Sequence, residues 1–264
     1  MKDAGGVLGA LLIGGVALVA LFAPFLSPGD PLDMVARPLL APFADAAHPF
    51  GTDRLGRDVL AGLIHGARTS LIVGAVAAAA SLGFGALAGL VAGFAGGVVD
   101  AVVMRIAEAF QTMPTFLFAL ALVGGLGASM TTVIIAIALA SWPAAARLVR
   151  AEVLRIRTQD YVAAAQLTGR APVSIAFLDV FPNALQPVMA LIGIAIGEAI
   201  LVESALAFLG LSDPNVLSWG GMVAEGRAVV RSQPSLVVIP GIAVALTVLA
   251  FSLAGDLLSR PRGR

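Results

Sequence analysis

The residues equipped for chemistry are few, and they are charged rather than nucleophilic. The 264-residue chain has no cysteine and only two histidines, His48 and His65. That leaves no thiolate nucleophile, no disulfide and no thiolate metal site. No His-Glu-x-x-His, Walker A or Gly-x-Ser-x-Gly pattern occurs, so neither a hydrolase nor a self-contained ATPase is expected. No catalytic residue, metal site or cofactor is assigned. What remains are charges in apolar surroundings. Glu198 and Glu203 lie in the apolar stretch 184–211, while Asp100, Arg105, Glu108 and Gln111 recur near helical spacing in another. A carboxylate at mid-membrane is costly and usually faces a bundle interior or a water-filled pathway, so Glu198 and Glu203 are pathway candidates. Arg105 and Glu108 are i,i+3 neighbours able to pair. The alternative for their segment is the start of an interfacial helix with snorkelling side chains.

The surroundings of these charges define the class. The chain is 59% hydrophobic and 12% charged, with mean hydropathy +0.99. A soluble domain carries about 25% charged residues, so this is a polytopic membrane protein. Formal net charge is zero, and no basic patch argues for nucleic acid. Residues 7–26 form an uncharged run of the length that spans a bilayer, about 20 residues. A secretory signal has a shorter apolar core, usually about 7–15 residues, after a basic start. Here Lys2 is offset by Asp3, so a retained first span is expected, with Pro24 and Pro28 at its outer end. Residues 69–99 are uncharged and too long for one straight span, with 93–97 as the turn after the second. Residues 110–146 are broken at 124–129 and predict two spans joined by a tight outer turn, with Pro114 and Pro143 as kinks or helix starts. Residues 184–211 and 236–253 supply the fifth and sixth. The fold class is all-α, with about six transmembrane helices.

Two polar segments interrupt the apolar runs. Residues 27–68 are Pro-rich; Asp53, Arg54, Arg57 and Asp58 alternate in sign among the turn residues Gly51 and Gly56. Val59, Leu60, Leu63 and Ile64 have the spacing of an amphipathic interfacial helix. Residues 160–183, DYVAAAQLTGRAPVSIAFLDVFPN, predict two short helices joined at a glycine. Asp160 is positioned to N-cap the first. Gly169 fits a left-handed C′ position, Pro172 suits the first turn of the next helix, and Phe181-Pro182-Asn183 stops it. On pattern alone this is an ordinary loop.

The residue identities say more. Ala163-Ala164-Ala165, then Gly169, then Pro182 thirteen positions later resembles the EAA loop of ABC-importer permeases, with Ala163 where the name-giving Glu often sits. The form Tyr-Val-x-Ala-Ala…Gly…Phe-Pro-Asn resembles the dipeptide/oligopeptide/nickel permeases in particular. Far from it in sequence, His48-Pro49-Phe50-Gly51-Thr52-Asp53 with Leu55-Gly56-Arg57-Asp58 resembles the N-terminal hallmark of the C-type member of that family. The resemblance runs from His48 to Asp256. Residues 200–211 resemble the outer end of the family's fifth span, which implies an interfacial structural hydrogen bond for Glu203. Ser218-Trp219-Gly220 resembles a segment on the binding-protein side, although Trp219 by itself is most simply an interfacial belt residue. Gly255-Asp256 matches the family's ending, whereas the tail 259–264 departs from it.

The resemblance implies a type I ABC importer-like permease of the bacterial cytoplasmic (inner) membrane. It implies a heterodimer with a second, homologous permease, two ATP-binding ATPase subunits and an extracytoplasmic solute-binding protein. The cargo would be peptides, a related solute or nickel. The 158–183 loop would be the coupling helix on the ATPase, through Asp160, Tyr161, Ala163, Ala164, Ala165, Gly169, Pro182 and Asn183. Gly51, Thr52, Asp53, Gly56, Arg57 and Asp58 would be the family signature. Gln166 and Asp179 depart from the basic residues usual there. The expected organisation is an N-terminal unit, 1–67, holding the first span and extracytoplasmic segment, and a permease core, 68–264.

Lysine and arginine favour the cytoplasm. With both termini inside, ten of the sixteen fall in or near it (Lys2 and Arg105, 147, 150, 155, 157, 170, 260, 262, 264) and six outside (Arg37, 54, 57, 68, 227, 231). Two rival functions differ in class. An ion-coupled secondary transporter would use Glu198, Glu203 and Arg105 and predicts inverted repeats with broken helices. An intramembrane enzyme would need a catalytic pair that two histidines outside the spans do not supply.

Overall fold

The computed structural model describes residues 2–258. The tail 259–264, with Arg260, Arg262 and Arg264, lies outside the described residues. All the named elements among the described residues are helices, and residues 27–58 are irregular apart from an isolated antiparallel bridge between Thr52 and Asp58. Helix α1 is Lys2–Leu21 and α2 Ala23–Leu26; α3 is Val59–Ala95, α4 Gly97–Gln111, α5 Thr115–Leu126 and α6 Met130–Ile156. A compact helical knob follows, made of α7 (Asp160–Leu167), α8 (Pro172–Ser174), a π-helical turn (Ile175–Val180) and α9 (Phe181–Ala184). The chain then returns as α10 (Gln186–Phe208), with α11 (Trp219–Gly226) and α12 (Ser235–Leu258) completing it.

Helices α3, α6, α10 and α12 are each long and apolar enough to cross a membrane. The pair α4–α5 qualifies together but is bent by 83° at the break. Helix α1, apolar over the 17 residues Gly5–Leu21 and so shorter than these spans, packs along α12 and α3; four or five membrane-length spans are present among the described residues where about six were expected.

Helix α3 is the mast of the bundle. Its 37 residues reach about 55 Å, well beyond a hydrocarbon core of about 30 Å. The expected interfacial helix at 59–64 and the second span are therefore one helix. The reason lies in its face of small residues, which is continuous across both segments: Gly62, Gly66, Ser70, Gly74, Ala77, Ser81, Gly85, Gly89 and Gly93 are all buried. The closest approach is to α6. A Cβ on Gly85 would collide with the Trp142 carbonyl, one on Gly89 with the Ala146 carbonyl, and one on Gly93 would sit 2.9 Å from Val153 Cβ. Lipid offers no hydrophobic drive between spans, so such backbone-to-backbone packing is the main attraction. The helix ends where expected. Gly96 (φ +68) and Gly97 (φ +54) turn the chain, while Gly93 belongs to the packed face.

Two further expectations are corrected. The third span is not one straight helix: α5 has 12 residues, and its continuation α4 turns away at Thr112-Met113-Pro114. Pro114 has no N–H and an extended ψ of 133, so the α4 ladder cannot run through it. The triplet Phe181-Pro182-Asn183 does not stop a helix. The π-helical turn at Ile175–Val180 shifts the register, and Pro182 falls in the first turn of α9, where its missing N–H is no loss. The outer turn expected at 124–129 is present between Leu126 and Met130, and Pro143 lies inside α6.

Gly89→Ala tests the α3–α6 contact against Gly83→Ala, whose Cβ would meet nothing within 4 Å. Thermal unfolding in detergent is expected to show Gly89→Ala destabilised by about 1–3 kcal/mol, the usual cost of overpacking. Gly83→Ala is expected to leave the midpoint unchanged or raised.

Candidate functional site

Three places gather the residues singled out by the sequence. The first is the knob. Helix α7 begins at Asp160, but Gln159 occupies the N-cap position and Asp160 makes no cap bond. The expected cap is therefore corrected: the Asp160 carboxylate sits inside the first turn, where it still complements the helix dipole. The C-terminus is as expected. Gly169 (φ +77) donates to the Gln166 carbonyl at 3.0 Å, and Arg170 N–H reaches the Ala165 carbonyl at 3.4 Å, the paired bonds of a Schellman motif. Arg170 turns back to Asp179 at 2.9 Å, so the unexpected acid at 179 ties the two limbs together.

The knob has two sides. Val162, Ile175, Ala176 and Val180 are buried in one core with Leu90 of α3 and Val149, Val153 and Ile156 of α6. Tyr161, Ala163, Ala164, Leu167, Gly169 and Val173 face outward, and Leu167 is 90% exposed. Pro182 and Asn183 are exposed at the far limb, with Asn183 donating to the Asp179 carbonyl at 2.7 Å. Arg157 Nη1 also donates to the Gly93 carbonyl at 2.9 Å, tying the end of α6 to that of α3. Arg150 binds Asp100 through two bonds, one at 2.6 Å, and so ties α6 to α4. Sequence spacing gave no hint of that pair, because its members are fifty residues apart.

The second place is the 27–58 segment, at the end of α3 away from the knob, where the Gly51–Asp58 signature forms a knot. Thr52 is fully buried; its hydroxyl donates to the Arg37 carbonyl at 2.6 Å and accepts from Leu40 N–H at 2.9 Å. Asp53 Oδ1 accepts from Leu55 and Arg57 N–H. Asp58 caps α3 by accepting from Leu60 N–H at 2.8 Å, and its other oxygen meets His48 Nδ1 at 3.1 Å. Gly51 (φ +76) passes directly under the Leu40 carbonyl, and Gly56 (φ +85) under that of Ala36; no side chain fits at either. Arg57 reaches Glu225 of α11 at 3.4 Å.

Glu203 and Trp219 join this outer assembly. Ser218 Oγ donates to Glu203 Oε1 at 2.6 Å and caps α11 by accepting from Gly221 N–H. Trp219 is not a belt residue: it is 3% exposed, with its indole N–H on the Leu63 carbonyl at 2.9 Å and its backbone N–H on Ser70 Oγ. Gly66 opens the space that admits it, while Gly220 lets α11 close onto Ser204 and Ala207 of α10.

The third place is inside the membrane. Glu198 is thirteenth of the 23 residues of α10, and it shares a concavity with Gln111, Pro114, Thr115, Ser141 and Pro143. Arg105 and Glu108 are not part of it; they pair with each other at 3.3 Å on the exposed face of α4. The structure thus separates the four intramembrane candidates.

These features describe a bundle of membrane-length helices that carries a two-sided helical knob. Residues 85–261 match the family model described as the inner membrane component of binding-protein-dependent transport systems. The chain is 39% identical over 258 residues to the di/tripeptide transport system permease protein DppC of Pseudomonas aeruginosa (strain UCBPP-PA14), covering 96% of this chain and 84% of that one. It is 38% identical over 257 residues to the nickel transport system permease protein NikC of Escherichia coli (strain K12), covering 95% and 91%. In fold it is similar to a chain of the inward-facing MetNI methionine ABC transporter, with TM-score 0.61 at 17% identity over 75% of this chain and 95% of that one. The chain belongs to the family of permease subunits of binding-protein-dependent ABC importers. It is a multi-pass inner-membrane component, not an enzyme, and such a system includes ATPase subunits and a binding protein. The bent α4–α5 span is the one feature shared with the ion-coupled rival, and family membership decides against that rival.

Burial pushes the Glu225 carboxyl above the ordinary range, helped by Asp53 and opposed by Arg57. A raised carboxyl favours the protonated folded state, so its contribution to stability is lost as pH rises through that elevated value. Melting curves from about pH 4 to 7 are expected to show Glu225→Gln, neutral throughout, flattening this decline.

Proposed function

We propose that the chain forms half of a solute pathway opened and closed by ATPase subunits gripping the α7 knob. The single observation that carries this reading is the knob's two-sidedness. Its inner side shares a core with α3 and α6, while Leu167, Val173 and Leu178 form an apolar outer surface at 90%, 69% and 67% exposure. A loop used only as a connection has no need of both. Ala163, Ala164 and Gly169 keep the approach close, where a bulky side chain would hold a groove wall away. Asp160, Tyr161 and Ala165 complete the first limb, and Pro182 and Asn183 the second. A push on the knob then tilts α6 and α10 with it, and ligands bias the two resulting states only through differential binding.

The other half is a second, homologous permease, in a heterodimer served by two ATPase subunits. The knob lies in the cytoplasm with both chain ends on the same side, as the excess of arginine around α6 and α7 favours. The signature knot and α11 face the extracytoplasmic binding protein. The N-terminal unit, 1–67, and the core, 68–264, meet within α3, so this division is one of role along a continuous helix. The cargo is a peptide or a chemically related small solute; the DppC and NikC relatives support a peptide and nickel respectively.

Leu167→Asp places a charge on the outer surface without touching the core. The variant is expected to insert and melt like the parent yet lose at least about tenfold in ATPase subunits retained on pull-down, the loss usual for a central interface residue. Retention of both ATPase subunits at the parental level, with unimpaired ATP-driven uptake, contradicts the assignment of the knob.

A further inference from the structure

Glu198 is the carboxylate the transport reading leaves unexplained. It sits half-way along α10, is exposed in the single chain while Gly193 and Gly197 are buried, and forms no ion pair among the described residues. Its concavity is polar where lipid-facing surfaces are apolar. Gln111 and Thr115 flank the break between α4 and α5, and Ser141 lines the α6 side. Ser141 Oγ is buried and makes no hydrogen bond, at a level where an unsatisfied hydroxyl is costly. The break that opens the concavity is held in shape. Phe110 packs edge-on against Trp142 at 5.6 Å and tilted against Phe118 at 5.2 Å, so the cavity is built by packing. A broken helix at mid-membrane, a lone carboxylate and an unpaired hydroxyl share one hollow. That combination is tolerated where backbone and side chains line a water-filled cavity.

We propose that Glu198, with Gln111, Thr115 and Ser141, forms a binding site at mid-membrane for the cationic group of the transported solute. The inference rests on the importer reading and deepens it. The shared chemistry is a compact positive charge, supplied either by the ammonium end of a peptide or by a hydrated divalent metal. Neutral donors and acceptors at 111, 115 and 141 orient that group, and the single carboxylate holds it weakly enough for release. The site therefore favours cationic or zwitterionic solutes over anionic ones of the same size.

The chain has no cysteine, so Gln111→Cys gives a single reporter in the complete complex, its other subunits freed of reactive cysteines. Cationic and anionic methanethiosulfonates of matched size are applied to the nucleotide-free state. The cationic reagent is expected to react about tenfold faster, as a nearby carboxylate dictates, and Glu198→Gln is expected to abolish the preference. L-alanyl-L-alanine or Ni²⁺, each delivered by the binding protein during ATP turnover, then identifies the source. Slowing by the dipeptide assigns an ammonium, and slowing by Ni²⁺ a metal cation. Thr115→Cys repeats the test should the first reporter fail to assemble. Equal rates for the two reagents overturn the proposal. So does silence at both reporters, which means the hollow is sealed by the second permease or lipid, or labelling that neither solute slows. Failure of ATPase subunits to co-purify defeats the importer reading separately, before any labelling.

Discussion

The rest of the structure depends on two helices lying backbone to backbone. Gly85, Gly89 and Gly93 of α3 meet Trp142, Ala146 and Val153 of α6 with no room for a side chain between them. This contact fixes the end of α6, and α6 carries the knob. It also brings Leu90 of α3 beside Val149 and Val153, forming the floor on which Val162 and Ile175 of the knob rest. The Arg150–Asp100 pair then anchors α4 to the same helix. Knob, mast and bent span become one body through a stripe of missing side chains.

That body gives the proposed stroke a mechanical meaning. A force on Leu167 is resisted by the core beneath Val162 and passes into α6 and α10. The Arg170–Asp179 pair spans the two limbs, but it is partly exposed and contributes little by itself; rigidity comes from the packed underside. At the other end, Ser218, Trp219 and Glu203 knit α11 to α3 and α10, and Arg57 draws the signature knot onto α11. The same long helix therefore touches both the outer assembly and the knob.

Much of this was legible in the sequence. The apolar runs gave the helices, and Gly169 and Pro172 gave the knob's turn, because each has a local conformational requirement. The motifs at 48–58 and 160–183 pointed to the family. What escaped was everything set by partners distant in the chain. Gly89 looks like any small residue until Ala146 is beside it. Trp219 looks like a belt residue until Gly66 makes space for it. Asp100 and Pro114 each announced something, but not the Arg150 pair or the 83° bend. The N-cap at 159 and the helical path through Pro182 were missed because a one-residue change of register leaves composition unaltered.

The central claim is that knob and spans move as one. With no native cysteine to remove, spin labels at Ala171→Cys, exposed on the knob but outside the assigned coupling residues, and Val91→Cys report the distance from knob to α3 by pulsed electron resonance in the assembled complex. Nucleotide-free and ATP-trapped states are expected to give the same narrow distribution, while the distance from Ala171→Cys to its counterpart on the second permease shifts. A knob-to-α3 distance that moves or broadens on ATP binding contradicts the account, since the loop would then absorb the stroke it is held to transmit.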